Sequence, residues 1–172
     1  VLRRARGYAP LPFPLPGAKP GLAAYGSHLK GSVAVTGEGK AVVGQHIGDL
    51  DNHLARLRLE EEVRDLSAIQ GTEITKAVHD LHPDYASTLL AEGAGVPTLA
   101  VQHHLAHALS LMGEHELDGP LLAVVWDGTG LGLDGTIWGG EFILIRDGQA
   151  SRVGHLRPFL LPGGDSAAKQ GW

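Results

Sequence analysis

A mixed α/β fold built from two duplicated lobes is what this sequence predicts, and three observations predict it. The periodic segments run hairpin, helix, strand, helix, strand, helix up to residue 115, an order that favours a lobe with a partly parallel sheet. A second set of strands opens at Leu121 and echoes the first hairpin. With 172 residues and 43% hydrophobic content, the chain can bury one sizeable core, or two lobes of which at least one is small. The echo reaches Trp172 before the helices that would complete it. The expectation is therefore a complete first lobe over 21–120 and a truncated second lobe over 121–172.

Each element has its own signal. Pro10, Pro12, Pro14, Pro16 and Pro20 crowd the first twenty residues, and residues 1–20 read as a stiff, extended connector leaving a preceding domain. Ser32 to Thr36 and Lys40 to Gln45 alternate as strands around the turn Gly37-Glu38-Gly39. Asp51 is placed to cap a helix over 52–69, where Leu59, Val63 and Leu66 form an apolar stripe and Gly71 lies just past the end. Ala77-Val78-His79 reads as a strand, and Pro83 suits the first turn of a helix that runs to Glu92. Thr98 to Gln102 is the next strand, with a helix over 103–115 after it. Leu121 to Trp126, Gly135 to Ile145 and Ser151 to Leu156 are the strands of the second set, the last two joined by Arg146-Asp147-Gly148.

Composition excludes several classes. There is no cysteine, so disulfides and cysteine-ligated zinc or iron-sulfur sites are out, leaving His, Asp and Glu as the strong metal ligands. A net charge of -5 leaves no basic footprint for nucleic acid. No stretch approaches the roughly 18 apolar residues of a membrane span, and no signal-peptide pattern follows the N-terminal arginines. A cytoplasmic protein is expected. Glycine, at 25 residues, is about twice its ordinary share of roughly 7% and concentrates in 128–140 and at Gly163-Gly164. Lone histidines such as His53 and His115 read as surface or satisfied core residues.

The candidate chemistry centres on Val101-Gln102-His103-His104-Leu105-Ala106-His107. On a helix over 103–115, His103 and His107 stand one turn apart on one face, as two imidazoles sharing a metal ion do. That helix rises roughly 20 Å, and a strand from Leu121 to Asp127 returns over about 23 Å. Asp127 would thus arrive beside both histidines. Against this stands chance, since helix surfaces often carry such pairs. Gly130, Gly132 and Gly135 match the dinucleotide spacing G-x-G-x-x-G, but the residues after them read as strand, so no helix N-terminus is offered to a pyrophosphate. Gly128, Thr129 and Gly130 fit better a loop wrapping phosphates through backbone N–H groups, or else an ordinary hairpin loop. Lys30, just before the first strand, is a candidate phosphate contact or a solvated lysine, and Gln45 to Leu50 places polar groups at a strand end.

Taken together, Arg4-Ala5-Arg6-Gly7-Tyr8, His28-Leu29-Lys30-Gly31, Gln45-His46-Ile47-Gly48-Asp49-Leu50, His79-Asp80-Leu81-His82-Pro83-Asp84-Tyr85, Val101-Gln102-His103-His104, Trp126-Asp127-Gly128-Thr129-Gly130 and Leu156-Arg157-Pro158-Phe159 resemble, in that order, the HypF carbamoyltransferases of nickel-iron hydrogenase maturation. The resemblance covers nearly the whole chain. It implies that residues 1–20 exit a YrdC-like domain. It implies for the remainder the actin/sugar-kinase/Hsp70-like (ASKHA) duplicated-lobe fold of the threonylcarbamoyl-transferring tRNA-modification enzymes, with nucleotide between the lobes. It also implies transfer of a carbamoyl group from carbamoyl-adenylate, made from carbamoyl phosphate and ATP, to the C-terminal cysteine of a HypE-like partner. Residue by residue, it makes His103, His107 and Asp127 ligands of a divalent metal, zinc or iron. Gly128, Thr129 and Gly130 would line the phosphates, Lys30 would contact them, and Lys30 and Asp127 would serve catalysis. Near the end of the chain, Leu160 and Lys169-Gln170-Gly171-Trp172 depart from the family's usual residues. Two other readings use the same residues: a non-catalytic actin-like module that binds nucleotide or a partner, and a small-molecule kinase of the superfamily.

Overall fold

The protein was studied as a computed structural model that describes residues 9–160 and 162. The Arg4-Ala5-Arg6-Gly7-Tyr8 motif, Gly163-Gly164 and the departures at Lys169 to Trp172 lie outside the described residues. The first sheet comprises β1 (Pro12–Pro14), β2 (Leu22–Ala24), β3 (Ala34–Gly37), β4 (Lys40–Val43), β5 (Lys76–Asp80) and β6 (Thr98–Val101), in the order β1-β4-β3-β2-β5-β6. β2, β5 and β6 are parallel neighbours, whereas β1, β4, β3 and β2 pair antiparallel. The carboxyl ends of β2, β5 and β6 therefore share one edge, the usual address of a ligand site in such sheets.

Two strands depart from expectation. Part of the proline-rich segment pairs with β4, with Phe13 opposite Ala41, so the connector contributes an edge strand. Pro12 and Pro14 lack amide donors and are tolerated only at such an edge. β2 was not expected at all, since Leu22-Ala23-Ala24 has little strand propensity. Burial between β3 and β5, with Ala23 fully enclosed, overrides that weak preference.

α1 (His53–Gln70) buries Leu59, Val63 and Leu66 against this sheet, as its stripe predicts. Its cap is Asn52 rather than Asp51: the Asn52 side chain accepts the Ala55 N–H at 2.8 Å, and Gly71 closes the other end at φ 61. α2 (Ala86–Glu92) starts three residues after Pro83. The intervening His82 to Tyr85 forms a turn, with Thr88 Oγ1 and Tyr85 N–H both donating to the His82 carbonyl and the His82 and Tyr85 rings stacked at 4.2 Å.

The second sheet is the antiparallel meander β7 (Leu121–Leu131), β8 (Ile137–Arg146) and β9 (Gln149–His155). α3 (His103–Glu114) follows β6 in the chain, inside the span expected for the first lobe. Its apolar side nevertheless packs on the second sheet, where Leu105, Ala108 and Met112 meet Ala123, Val125, Ile143 and Ile145. That packing puts the histidines of α3 between the two sheets. No helix among the described residues is long and apolar enough to cross a membrane.

Candidate metal centre

Strand alternation and one interruption bring His103, His107 and Asp127 together. Ala123, Val125 and Asp127 share the face of β7 turned to α3, so the same period that buries the two apolar residues aims the carboxylate at the helix. The β7–β8 register is Trp126 opposite Gly140, then Gly130 opposite Trp138, which leaves Asp127, Gly128 and Thr129 facing Gly139 alone. Such a bulge bends the strand and re-aims its side chains. Asp127 Oδ2 reaches His103 Nε2 at 2.8 Å and His107 Nε2 at 3.5 Å. The three groups offer donor atoms all within 4.8 Å of one another.

Their spacing fits a cation. Nitrogen and oxygen ligands at about 2.0–2.1 Å from a tetrahedral zinc stand about 3.3 Å apart, and the 2.8 and 3.5 Å separations bracket that value. Two imidazoles and a carboxylate suit zinc or iron(II). Asp127 Oδ1 accepts the Gly128 N–H at 2.7 Å, which leaves Oδ2 turned to the histidines. Burial pushes the Asp127 carboxyl up, but the Gly128 N–H and the facing imidazoles outweigh it and hold the group below the usual range.

Sequence reasoning missed what holds α3 in place. Gln102 caps the helix, its Oε1 accepting the Leu105 N–H at 3.0 Å, while its Nε2 donates to the Leu131 carbonyl and to His104 Nδ1, each at 3.1 Å. His104 is fully buried, and its Nε2 donates to the Gly139 carbonyl at 3.1 Å. Burial lowers its proton affinity, so a neutral imidazole bridges α3 to the β8 residue opposite the bulge. Asp80 was also unassigned: it is buried at the end of β5, and its Oδ2 accepts His103 Nδ1–H at 2.7 Å. This hydrogen bond raises His103 above the ordinary imidazole range, against burial, with Asp127 adding to the rise. The one signal for both was polarity at the end of a short apolar strand.

The remaining candidates separate. Gly130 is buried, and a Cβ there would meet His103 Cβ and His104 Cε1 at 2.9 Å, so this glycine is where α3 rests on β7. Gly128 and Thr129 are exposed on the bulge. Lys30 is exposed in the loop after β2, at φ 53, with its N–H donated to Asp49 Oδ1 at 2.9 Å. A cleft of about 900 Å³ opens between the first sheet and α3, lined by Ser27, Asp80, His103 and His107 among others, and Lys30 does not line it. Gln45 is tied to α1 through Glu62, which accepts its N–H at 3.1 Å.

Comparison with known proteins shows the family of the chain. The HypF Kae1-like domain matches residues 17–114, and the carbamoyltransferase Kae1-like domain, second subdomain, matches residues 123–172. The chain belongs to the HypF carbamoyltransferase family. Among HypF relatives, the carbamoyltransferase HypF of Synechocystis sp. is 46% identical over 98% of this chain, and the probable carbamoyltransferase HypF of Methanocaldococcus jannaschii is 36% identical over 98%. The chain spans 22% and 23% of their lengths. A full-length HypF crystallised in the phosphate- and nucleotide-bound form superposes with a TM-score of 0.90 at 37% identity, covering 96% of this chain and 22% of that one. The HypF of T. kodakarensis does so at 0.89 and 33%, with the same coverage.

Proposed function

We propose that the chain is part of a carbamoyltransferase that moves a carbamoyl group from carbamoyl-adenylate, made from carbamoyl phosphate and ATP, to the C-terminal cysteine of a HypE-like protein for hydrogenase maturation. The observation that carries this reading is the convergence of His103, His107 and Asp127 at the rim of a cleft, in a chain whose HypF relative was crystallised with phosphate and nucleotide. Those three residues would hold a divalent cation, zinc or iron, which supplies Lewis-acid polarisation of the carbamoyl carbonyl and the adenylate phosphate. The exposed bulge at Gly128 and Thr129 would offer backbone to the phosphate side, and Lys30, in the loop after β2 and outside the cleft lining, would offer a cation to a phosphate that extends beyond the cleft. Gly130 serves by letting α3 approach. In the transfer, the partner's thiolate sulfur attacks the carbamoyl carbon, the C–O bond to the phosphate breaks, and AMP leaves with the electron pair. No cysteine is needed in this chain, and it has none.

The same reading makes the two sheets duplicated ASKHA lobes. The meander β7-β8-β9 repeats the order of β2-β3-β4 in the first sheet, which supports it. The test is ATP- and carbamoyl-phosphate-dependent modification of a HypE-like C-terminal cysteine by the intact protein, read by mass. A gain of one carbamoyl group is expected, lost in His103→Ala. Phosphate transfer to a hydroxyl with no carbamoyl gain would replace this reading by a kinase, and binding without any transfer would replace it by a non-catalytic module.

A further inference from the structure

We propose that Asp80 is a positioning residue that fixes the tautomer and ring orientation of His103, so that Nε2 presents its lone pair to the cation. This rests on the metal-site reading above. A neutral imidazole has one N–H and one lone pair, and a carboxylate can only accept. Both ring nitrogens of His103 face a carboxylate, Nδ1 at 2.7 Å from Asp80 Oδ2 and Nε2 at 2.8 Å from Asp127 Oδ2. Asp127 is itself a ligand in the metal-site reading, so with a cation bound Asp127 and Nε2 would both turn to the cation, and Nδ1 would keep the one proton for Asp80.

Asp80 is itself held so that it cannot exchange roles. Its Oδ1 accepts the His82 N–H at 3.0 Å, and its backbone carbonyl accepts from Thr88 Oγ1 at 3.3 Å and from His79 Nδ1 at 2.7 Å. It is buried and sits opposite Val101 in the parallel pair β5–β6, two residues before His103. Asp80 lies on the Nδ1 side of the ring, away from the point where the three donors converge, so it is no fourth ligand. The first sheet contributes Asp80, the second contributes Asp127, and His103 stands between them. Carboxylates hydrogen-bonded to the far nitrogen of a ligating histidine orient the ring and raise its basicity, and losing one costs about 10–100-fold in metal affinity.

The hydrogen bond from His82 makes the test specific. In Asp80→Asn, the amide oxygen stays on the His82 N–H and the amide nitrogen falls where Oδ2 was. That nitrogen donates to His103 Nδ1 and drives the proton onto Nε2, removing the lone pair the cation needs. Asp80→Ala leaves the tautomer free. Zinc affinity of the intact protein, measured by chelator competition, should fall about 10-fold in Asp80→Ala and about 100-fold in Asp80→Asn. A merely structural Asp80 would give the opposite order, because Asn is the closer isostere. Wild-type affinity in Asp80→Asn, or weaker binding in Asp80→Ala than in Asp80→Asn, overturns the proposal. His103→Ala is the control: if it binds zinc as the wild type does, or if the wild type binds none, the metal-site reading itself has failed, and Asp80 with it.

Discussion

Replacing Gly130 by alanine adds one methyl group at the point where α3 rests on β7. The new Cβ would lie 2.9 Å from His103 Cβ, 2.9 Å from His104 Cε1 and 3.0 Å from His104 Nδ1. Ordinary carbon contacts are about 3.5–4.0 Å, so α3 must give by about half an ångström or more. His104 cannot move aside cheaply, because it is fully buried and bonded at both ring nitrogens. Overpacking of this kind costs about 1–3 kcal/mol, offset by about 0.4–1 kcal/mol from the stiffer unfolded chain. Gly128 is the internal control: two positions earlier on the same strand, a Cβ there meets nothing within 4 Å. Native-state hydrogen exchange of the intact protein, read at the amides of α3 and β7, reports the local opening free energy. Gly130→Ala should lower it, by up to about 2.6 kcal/mol, whereas Gly128→Ala carries only the unfolded-chain gain and should leave it unchanged or raise it by up to about 1 kcal/mol. Equal effects in the two variants would refute the claim that Gly130 exists for helix packing.

Two further perturbations follow from the same clamp and its surroundings. His104 is held neutral by burial, below its unfolded value of 6.5, so the unfolded chain takes up the proton first on acidification. The stability it confers is complete above pH 6.5 and is lost as pH falls from there, by at most about 1.4 kcal/mol per pH unit. His103, raised by Asp80, runs the other way, its contribution being lost as pH rises through its folded value. The difference in opening free energy between wild type and His104→Gln contains the His104 part together with its repulsion from His103, and should shrink between pH 7 and pH 5; a difference constant with pH would contradict the assignment. Glu141 is buried, with Arg152 Nε donating to its Oε2 at 2.6 Å and the Gly139 N–H to its Oε1 at 2.9 Å. Arg152→Ala should destabilise the β8–β9 pair by about 3–5 kcal/mol, because it strands a buried carboxylate. It also removes a guanidinium stacked 4.3 Å over Trp138. Exchange at β9 amides changed by less than about 1 kcal/mol would show the charge is not stranded.

What could be read from the sequence was whatever rests on period and length. The stripe of Leu59, Val63 and Leu66 gave α1, and the arithmetic of a rising helix and a returning strand brought Asp127 to His103. The glycine spacing at 130, 132 and 135 leads into β8 rather than a helix, as the residues after Gly135 predict. What stayed hidden depends on the third dimension. β2 is a strand only because its neighbours bury it, and β1 because an edge accepts proline. Asp80 is 23 positions from His103 in the chain, and only the parallel register of β5 and β6 puts their ends side by side. Gln102 and His104 flank His103 in the same run, yet their partners, Leu131 and Gly139, are remote in sequence. Gly130 illustrates the same limit: its residue type suits a phosphate loop and a close helix contact equally, and only the position of His104 decides between them.

Anomalous diffraction from crystals of the intact protein grown with zinc tests the proposed metal site most directly. A single strong peak is expected about 2.0–2.2 Å from His103 Nε2, His107 Nε2 and the Asp127 carboxylate, with Asp80 still on His103 Nδ1. Zinc bound through His103 Nδ1, or no peak between these three residues, would contradict it.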